Sequence, residues 1–278
     1  MTGTEVPGDT ANEGPPPARL DTSVAHLARV RDYWLGGRDN FAVDRQAGDQ
    51  AMAEFPGLVA SVRTTRAFLA RAVRYLTAEA GVRQFLDIGA GIPTANSTHE
   101  VAQSIAPDAL VCYVDHDPVV FAHARALLAS GPHGNTSYLE VDLRDTGKML
   151  AEAASMLDLS QPVAVVLNAV LQFIPDDADP GQIVATLLDA MPPGSFLVLS
   201  HPASDLGGPA RPALAGPLGL LLAEPVTPRS HDGVRRFFAG LRLLAPGVVP
   251  LPEWRPDPGD PPAGAASAPA LWGGVGTK

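Results

Sequence analysis

Phe85-Leu86-Asp87-Ile88-Gly89-Ala90-Gly91 is the stretch that decides the fold. Gln84 to Ile88 is a short apolar run of strand length, and two glycines follow it where a strand would turn into a helix. Glycine there accepts positive φ and lets a ligand reach the backbone with no Cβ in the way. The amino terminus of the next helix adds free N–H donors. In open parallel sheets, ligands bind at the carboxyl ends of strands, where strand order reverses. The plainer reading is a glycine turn that only packs helix on strand.

Outward from this turn, strand and helix alternate. Strands are expected at Leu110 to Val114, Thr136 to Val141, Val163 to Val170, Ser195 to Ser200, Leu241 to Leu244 and Leu271 to Val275. Helices are expected at Ala95 to Ile105, Val119 to Ala129, Gly147 to Leu157, Ile183 to Met191 and Val234 to Ala239, with another at Leu214 to Ala223. The alternation predicts a Rossmann-like, doubly wound, mostly parallel seven-stranded α/β sheet with helices on both faces and an antiparallel final strand. Upstream lies a helical extension. Asp21 or Thr22 can cap a helix carrying Val24, Leu27, Val30 and Trp34, closed by Gly36-Gly37, and helices fit Val43 to Phe55 and Leu58 to Ala80. The expected division is a flexible arm (1–20), a helical cap (21–81) and the main domain (82–278), with 255–269 a mobile loop.

Composition narrows the function classes. The chain has 278 residues, 46% of them hydrophobic, which is enough for a real core. With 20 Lys plus Arg against 30 Asp plus Glu, the formal net charge is -10, which argues against a duplex-binding protein. No apolar run reaches the roughly 18 residues of a membrane span. The single cysteine, Cys112, excludes a disulfide framework, and with no basic-then-apolar amino terminus it points to the cytoplasm. The seven histidines show no metal-ligand spacing.

The strand ends carry the chemistry. Asp87 sits two residues before the first glycine, and Pro93 removes an N–H donor from the helix start. A carboxylate there repels a pyrophosphate but attracts an ammonium, and S-adenosylmethionine has an ammonium, a sulfonium and no phosphate. After strand two, Asp115 (or Asp117, which also reads as a helix cap before Pro118) can take both ribose hydroxyls, with His116 beside it. After strand three, Asp142 can bond an adenine amine with Leu143 against the ring. Asn168 is a polar residue inside an apolar strand and needs a partner if buried. Tyr33, Asn40 and Phe41 flank the Gly36-Gly37 turn and read either as contacts at the cofactor mouth or as ordinary helix packing. His201 after strand five is a candidate general base or a hydrogen-bonded loop histidine.

Together these motifs resemble class I S-adenosylmethionine-dependent methyltransferases. Arg29-Val30-Arg31-Asp32-Tyr33-Trp34-Leu35-Gly36-Gly37-Arg38-Asp39-Asn40-Phe41 resembles the amino-terminal signature of one bacterial family long catalogued as a domain of unknown function. Phe85 to Thr94, Tyr113-Val114-Asp115, Val170 to Asp177, Leu199-Ser200-His201 and Gly273-Gly274-Val275-Gly276 also look like it, so the likeness spans about residues 24–278. It implies cofactor binding by Asp87, Gly89, Ala90, Gly91, Asp115, His116, Asp142, Leu143 and Asn168. The expected activity is methyl transfer to a small-molecule acceptor, without nucleic acid or membrane. The rivals are a non-catalytic cofactor-binding or regulatory protein and an NAD-dependent oxidoreductase, the latter weakened by Pro93 and Asp87.

Overall fold

The computed structural model describes residues 21–54, 56–128, 135–206, 225–258 and 271–278, without the side chains of 125–128. The arm, the helix at Leu214 to Ala223 and the loop from 259 onward fall outside these residues.

Five strands form the parallel part of one sheet: β1 (Gln84–Ile88), β2 (Leu110–Asp115), β3 (Thr136–Glu140), β4 (Ala164–Asn168) and β5 (Phe196–Pro202). Two-residue strands β6 (Arg242–Leu243) and β7 (Val249–Pro250) follow, and β8 (Leu271–Thr277) closes the chain. The order is β3-β2-β1-β4-β5-β8-β6, with β7 also pairing β8. β8 runs antiparallel to β5, β6 and β7, as expected of the final strand. The expected seven strands are present, and β7 is an eighth too short to leave a periodic signal.

Every residue of β1 and β4 is buried, the mark of central parallel strands covered on both faces. Their side chains alternate between two cores. One gathers Leu86, Ile88, Val165 and Leu167 against α6 (Thr146–Ala153) and α7 (Pro180–Asp189), through Met149 and Leu187. The other gathers Phe85, Val111, Ala164 and Val166 against α3 (Leu58–Ala78) and α4 (Thr98–Ile105), through Phe68, Val73 and Ala102.

α1 (Leu27–Leu35) and α2 (Ala42–Glu54) share a smaller apolar cluster of Val30, Trp34 and Ala51, which Leu58 at the start of α3 joins. Farther along α3, Phe68 to Leu76 lie in the sheet core, so this helix ties the first two to the sheet. α1 begins later than the Asp21 or Thr22 cap predicts, with His26 at its N-cap, and Val24 is exposed. The reason is local. Asp21 takes the Ser23 N–H and hydroxyl, while a guanidinium N–H of Arg29 donates to the carbonyls of Asp21 and Val24. These bonds hold the leading segment out of the helix. α5 (Pro118–Leu128) follows β2, and α8 (His231–Arg236) precedes β6. Among the described residues, no helix is long and apolar enough to cross a membrane.

Candidate active site

β1 neighbours β2 on one side and β4 on the other, so the chain reverses direction across the sheet at the β1–β4 boundary. Their carboxyl ends make the crevice where such sheets take ligands. Gly89 and Gly91 both adopt left-handed backbone (φ 73° and 66°), the conformation glycine tolerates without cost. A Cβ on Gly89 would strike the Val170 side chain, whereas Gly91 faces open space. The Gly91 N–H donates to Asp115 Oδ2 at 2.9 Å, and the Asp117 N–H donates to Oδ1 at 3.1 Å. Asp115 is thereby aimed at the glycine turn, and burial raises its carboxyl above the usual range. Asp87 lies at the floor, where Thr98 Oγ1 donates to it at 2.6 Å. Burial pushes its carboxyl up to about 6. Beyond β4, Ala169 holds a left-handed φ of 57°, an unusual state for alanine that tends to mark functional sites.

A cavity of about 490 Å³ opens above these strand ends, walled by the glycine turn, the end of β2, the Ala169–Phe173 segment and the inner face of α1. Small-molecule sites usually measure about 300–1,000 Å³. An inner chamber of about 20 Å³ adjoins it and reaches Asp87, Tyr113, Tyr138 and Asn168. Arg31, Arg66 and Gly89 to Gly91 line both.

The amino-terminal signature builds the roof. Arg29 and Asp44 form a buried ion pair at 2.9 Å. Asp44 also accepts the N–H groups of His26 and Phe41. Asp32 accepts the Asp39 N–H and the Asn40 side-chain amide, each at 2.8 Å, and fills the space that a Cβ on Gly37 would need. Trp34 Nε1 donates to the Gly48 carbonyl. Locked in this way, α1 presents Ala28, Arg31 and Leu35 to the cavity. His26 Nε2 reaches Asp117 Oδ2 at 3.1 Å and joins the roof to the end of β2.

Of the residues singled out from sequence, Asp87, Gly89, Ala90, Gly91, Asp115, His116 and Asn168 converge on the two chambers. Asn168 finds its buried partner in Ser200, whose hydroxyl donates to Oδ1 at 2.6 Å. Asp142 and Leu143 are not among the lining residues. Asp142 accepts the Arg144 N–H, and Leu143 packs in the core. Tyr33 donates its hydroxyl to Asp49 on an exposed face, and the Asn40 amide is spent on Asp32 and Gly37. Phe41 is partly exposed, with the Arg29 guanidinium over its ring at 5.3 Å. His201 is fully buried and away from both chambers: its Nδ1–H donates to the Pro202 carbonyl, and Arg229 donates to Nε2 at 2.7 Å. Burial pulls the His201 imidazole down to about 4, so it stays neutral and fixed. Arg229 also bonds Asp176 and the carbonyls of Leu171 and Ile174, which makes this network the support of the segment after β4.

Among the cavity residues not singled out from sequence are Arg31, Arg66 and Phe173. Arg31 stands four residues before Leu35 and three after Ala28, so the helical period puts all three on one face. That spacing was the available signal. Among the described residues, no group of three or more His, Cys, Asp or Glu side chains is placed to hold a metal ion.

Comparison with known proteins bears on the family and the fold. A family model described as S-adenosyl methyltransferase matches residues 13–278. The chain is 40% identical to a DUF574 family protein from Streptomyces avermitilis MA-4680, covering 94% of this chain and all of that one, with a TM-score of 0.85. It is 41% identical to a candidate methyltransferase from Thermobifida fusca YX, over 95% of this chain and 98% of that one, again with a TM-score of 0.85. A more distant relative is the trans-aconitate 2-methyltransferase of Methylobacterium radiotolerans, 28% identical over 178 residues. That match takes in 62% of this chain and spans 60% of the relative's length.

Proposed function

The chain belongs to the S-adenosyl methyltransferase family, and on that premise we propose that its cavity passes the methyl group of S-adenosylmethionine to a small-molecule acceptor. The observation that carries this reading is the meeting of a glycine turn, Gly89 to Gly91, with two carboxylates, Asp87 on the inner chamber and Asp115 on the adjoining cavity.

The residues fit the cofactor's chemistry. Asp115 would take the ribose hydroxyls, exchanging its bonds to the Gly91 and Asp117 N–H groups in part for new ones. Asp87, ionised, would face the ammonium. Ile92 and Val120, which pack together with Ala28 beside the cavity, offer an apolar surface for the adenine. His116, largely exposed beside Asp115, would flank the nucleoside. The bound cofactor supplies an electrophilic methyl on a sulfonium that leaves as a thioether. The chain's own part is to hold the acceptor against that methyl and to exclude water, contributions that lower barriers without a catalytic dyad. The buried, neutral His201 takes no part as a base in this reading. Leu35, Val170 and Phe173 give the acceptor an apolar wall.

A small acceptor is supported by the size of the cavity, by the net negative chain and by the trans-aconitate methyltransferase relative. The test is transfer of a radiolabelled methyl from S-adenosylmethionine to a panel of small carboxylates, phenols and amines, with total RNA and a protein lysate as counter-substrates. Label in one small-molecule class, abolished in Asp115→Ala, is the expected result. Label only in macromolecules would reject the small-acceptor reading.

A further inference from the structure

We propose that Arg31 and Arg66 form a two-guanidinium clamp for a carboxylate inside the cavity. This rests on the cavity being a methyl-transfer site and names an anion that the site takes.

The two side chains come from different helices, α1 and α3, and line both chambers. Arg66 donates to Thr94 Oγ1 at 2.7 Å, a neutral acceptor. Arg31 has no hydrogen bond or ion pair among the described residues. The structural arginines are different. Arg29 is held by Asp44 and two carbonyls, Arg71 by the carbonyls of Leu251 and Trp254, and Arg229 by Asp176, two carbonyls and His201. Each of these structural guanidiniums thus has at least two protein acceptors, whereas among the described residues Arg66 has one neutral acceptor and Arg31 none.

Asp87 and Asp115 attract Arg31 through space but make no hydrogen bond or ion pair with it among the described residues. Asp87 is occupied by Thr98, and Asp115 by two backbone N–H groups. Two like charges facing one small space repel, and burial together with Arg66 holds the Arg31 guanidinium down to about 10. An anion between them relieves that repulsion. Guanidinium forks match the two oxygens of a carboxylate in a planar, bidentate arrangement. A phosphate is disfavoured, because it sets more negative charge against Asp87 and Asp115 than a carboxylate does and because Pro93 withholds an N–H. The carboxylate has two possible sources, the amino-acid end of the cofactor or an acidic acceptor, and one clamp chemistry serves either.

The test titrates wild type, Arg31→Met and Arg66→Met calorimetrically, with thermal melts to confirm folding and Arg31→Lys as a second, milder variant. The probes are S-adenosylhomocysteine, 5′-methylthioadenosine (which lacks the amino-acid end) and propane-1,2,3-tricarboxylate, the last added alone and to protein loaded with S-adenosylhomocysteine. The expected result is at least about tenfold weaker binding of a carboxylate probe with methylthioadenosine unchanged, and a smaller loss in Arg31→Lys. Loss on S-adenosylhomocysteine assigns the clamp to the cofactor, and loss on the tricarboxylate alone assigns it to the acceptor. Unchanged affinity for both carboxylates, or an equal loss for methylthioadenosine, overturns the clamp. If wild type binds neither nucleoside, the methyl-transfer reading fails, and the tricarboxylate titrated alone still decides the clamp.

Discussion

Asp87 is a carboxylate at the floor of the inner chamber, almost without solvent and held by one hydroxyl. Burial costs the ionised form more than the Thr98 bond returns, which is why it titrates near 6 rather than near its ordinary 3.8. A cationic ammonium beside it favours ionisation, so proton and cofactor compete. Affinity for S-adenosylmethionine should therefore rise between pH 5 and pH 7, by up to about tenfold per unit on the acid side. In Asp87→Asn the rise should be absent and binding weaker at pH 7. Titrations across that range check both, and a wild-type affinity flat with pH would remove Asp87 from the ammonium's surroundings. Asp87 was legible because a carboxylate two residues before a glycine turn has few structural uses. Arg31 was not, because one arginine on an amphipathic helix has the pattern of any solvated residue until the roof is seen over the cavity. Tyr33 and Asn40 show the reverse: they belong to the distinctive signature, yet their polar atoms bond to Asp49, Asp32 and Gly37.

At the scale of elements, the signature from Arg29 to Phe41 is mainly a device for making two short helices rigid. α1 has nine residues, too few to persist alone in water. The buried Arg29–Asp44 pair compensates by fastening α1 to α2, with both side chains about 1% exposed or less. Removing one partner leaves a charge stranded without solvent, a change that costs about 3–5 kcal/mol. Asp44→Ala should thus loosen residues 27–54 while the sheet persists. Hydrogen exchange should show protection lost across α1 and α2 and kept in β1 and β4. Protection retained everywhere would show that apolar packing through Trp34 and Val30 suffices. The helices themselves were legible from apolar spacing, but their first turns were not. Where α1 begins is set by Asp21, Arg29 and Asp44, bonds between residues up to 18 apart that a local pattern does not contain.

At the scale of the whole molecule, the parallel sheet followed from the alternation of strand-length and helix-length runs, and its register placed Asp87, Asp115 and Asn168 at neighbouring strand ends without further information. β8 was legible as a strand, but the reason for its glycines was not. A Cβ on Gly273 would strike Leu251, and one on Gly276 would crowd Phe238 and Leu241, so the run records how closely three distant segments meet. The roof over the cavity is likewise a product of the complete fold, since its polar tie from His26 to Asp117 joins residues 91 apart in sequence. The central claim is that this crevice holds S-adenosylmethionine through its glycine turn and Asp115. Calorimetric titration of the full chain with S-adenosylmethionine, S-adenosylhomocysteine and NAD tests it most directly. The account predicts saturable binding of the first two, weakened at least about tenfold in Asp115→Ala, where two ribose hydrogen bonds are lost, and none of NAD. Binding of NAD alone, or no binding by folded protein, would contradict it.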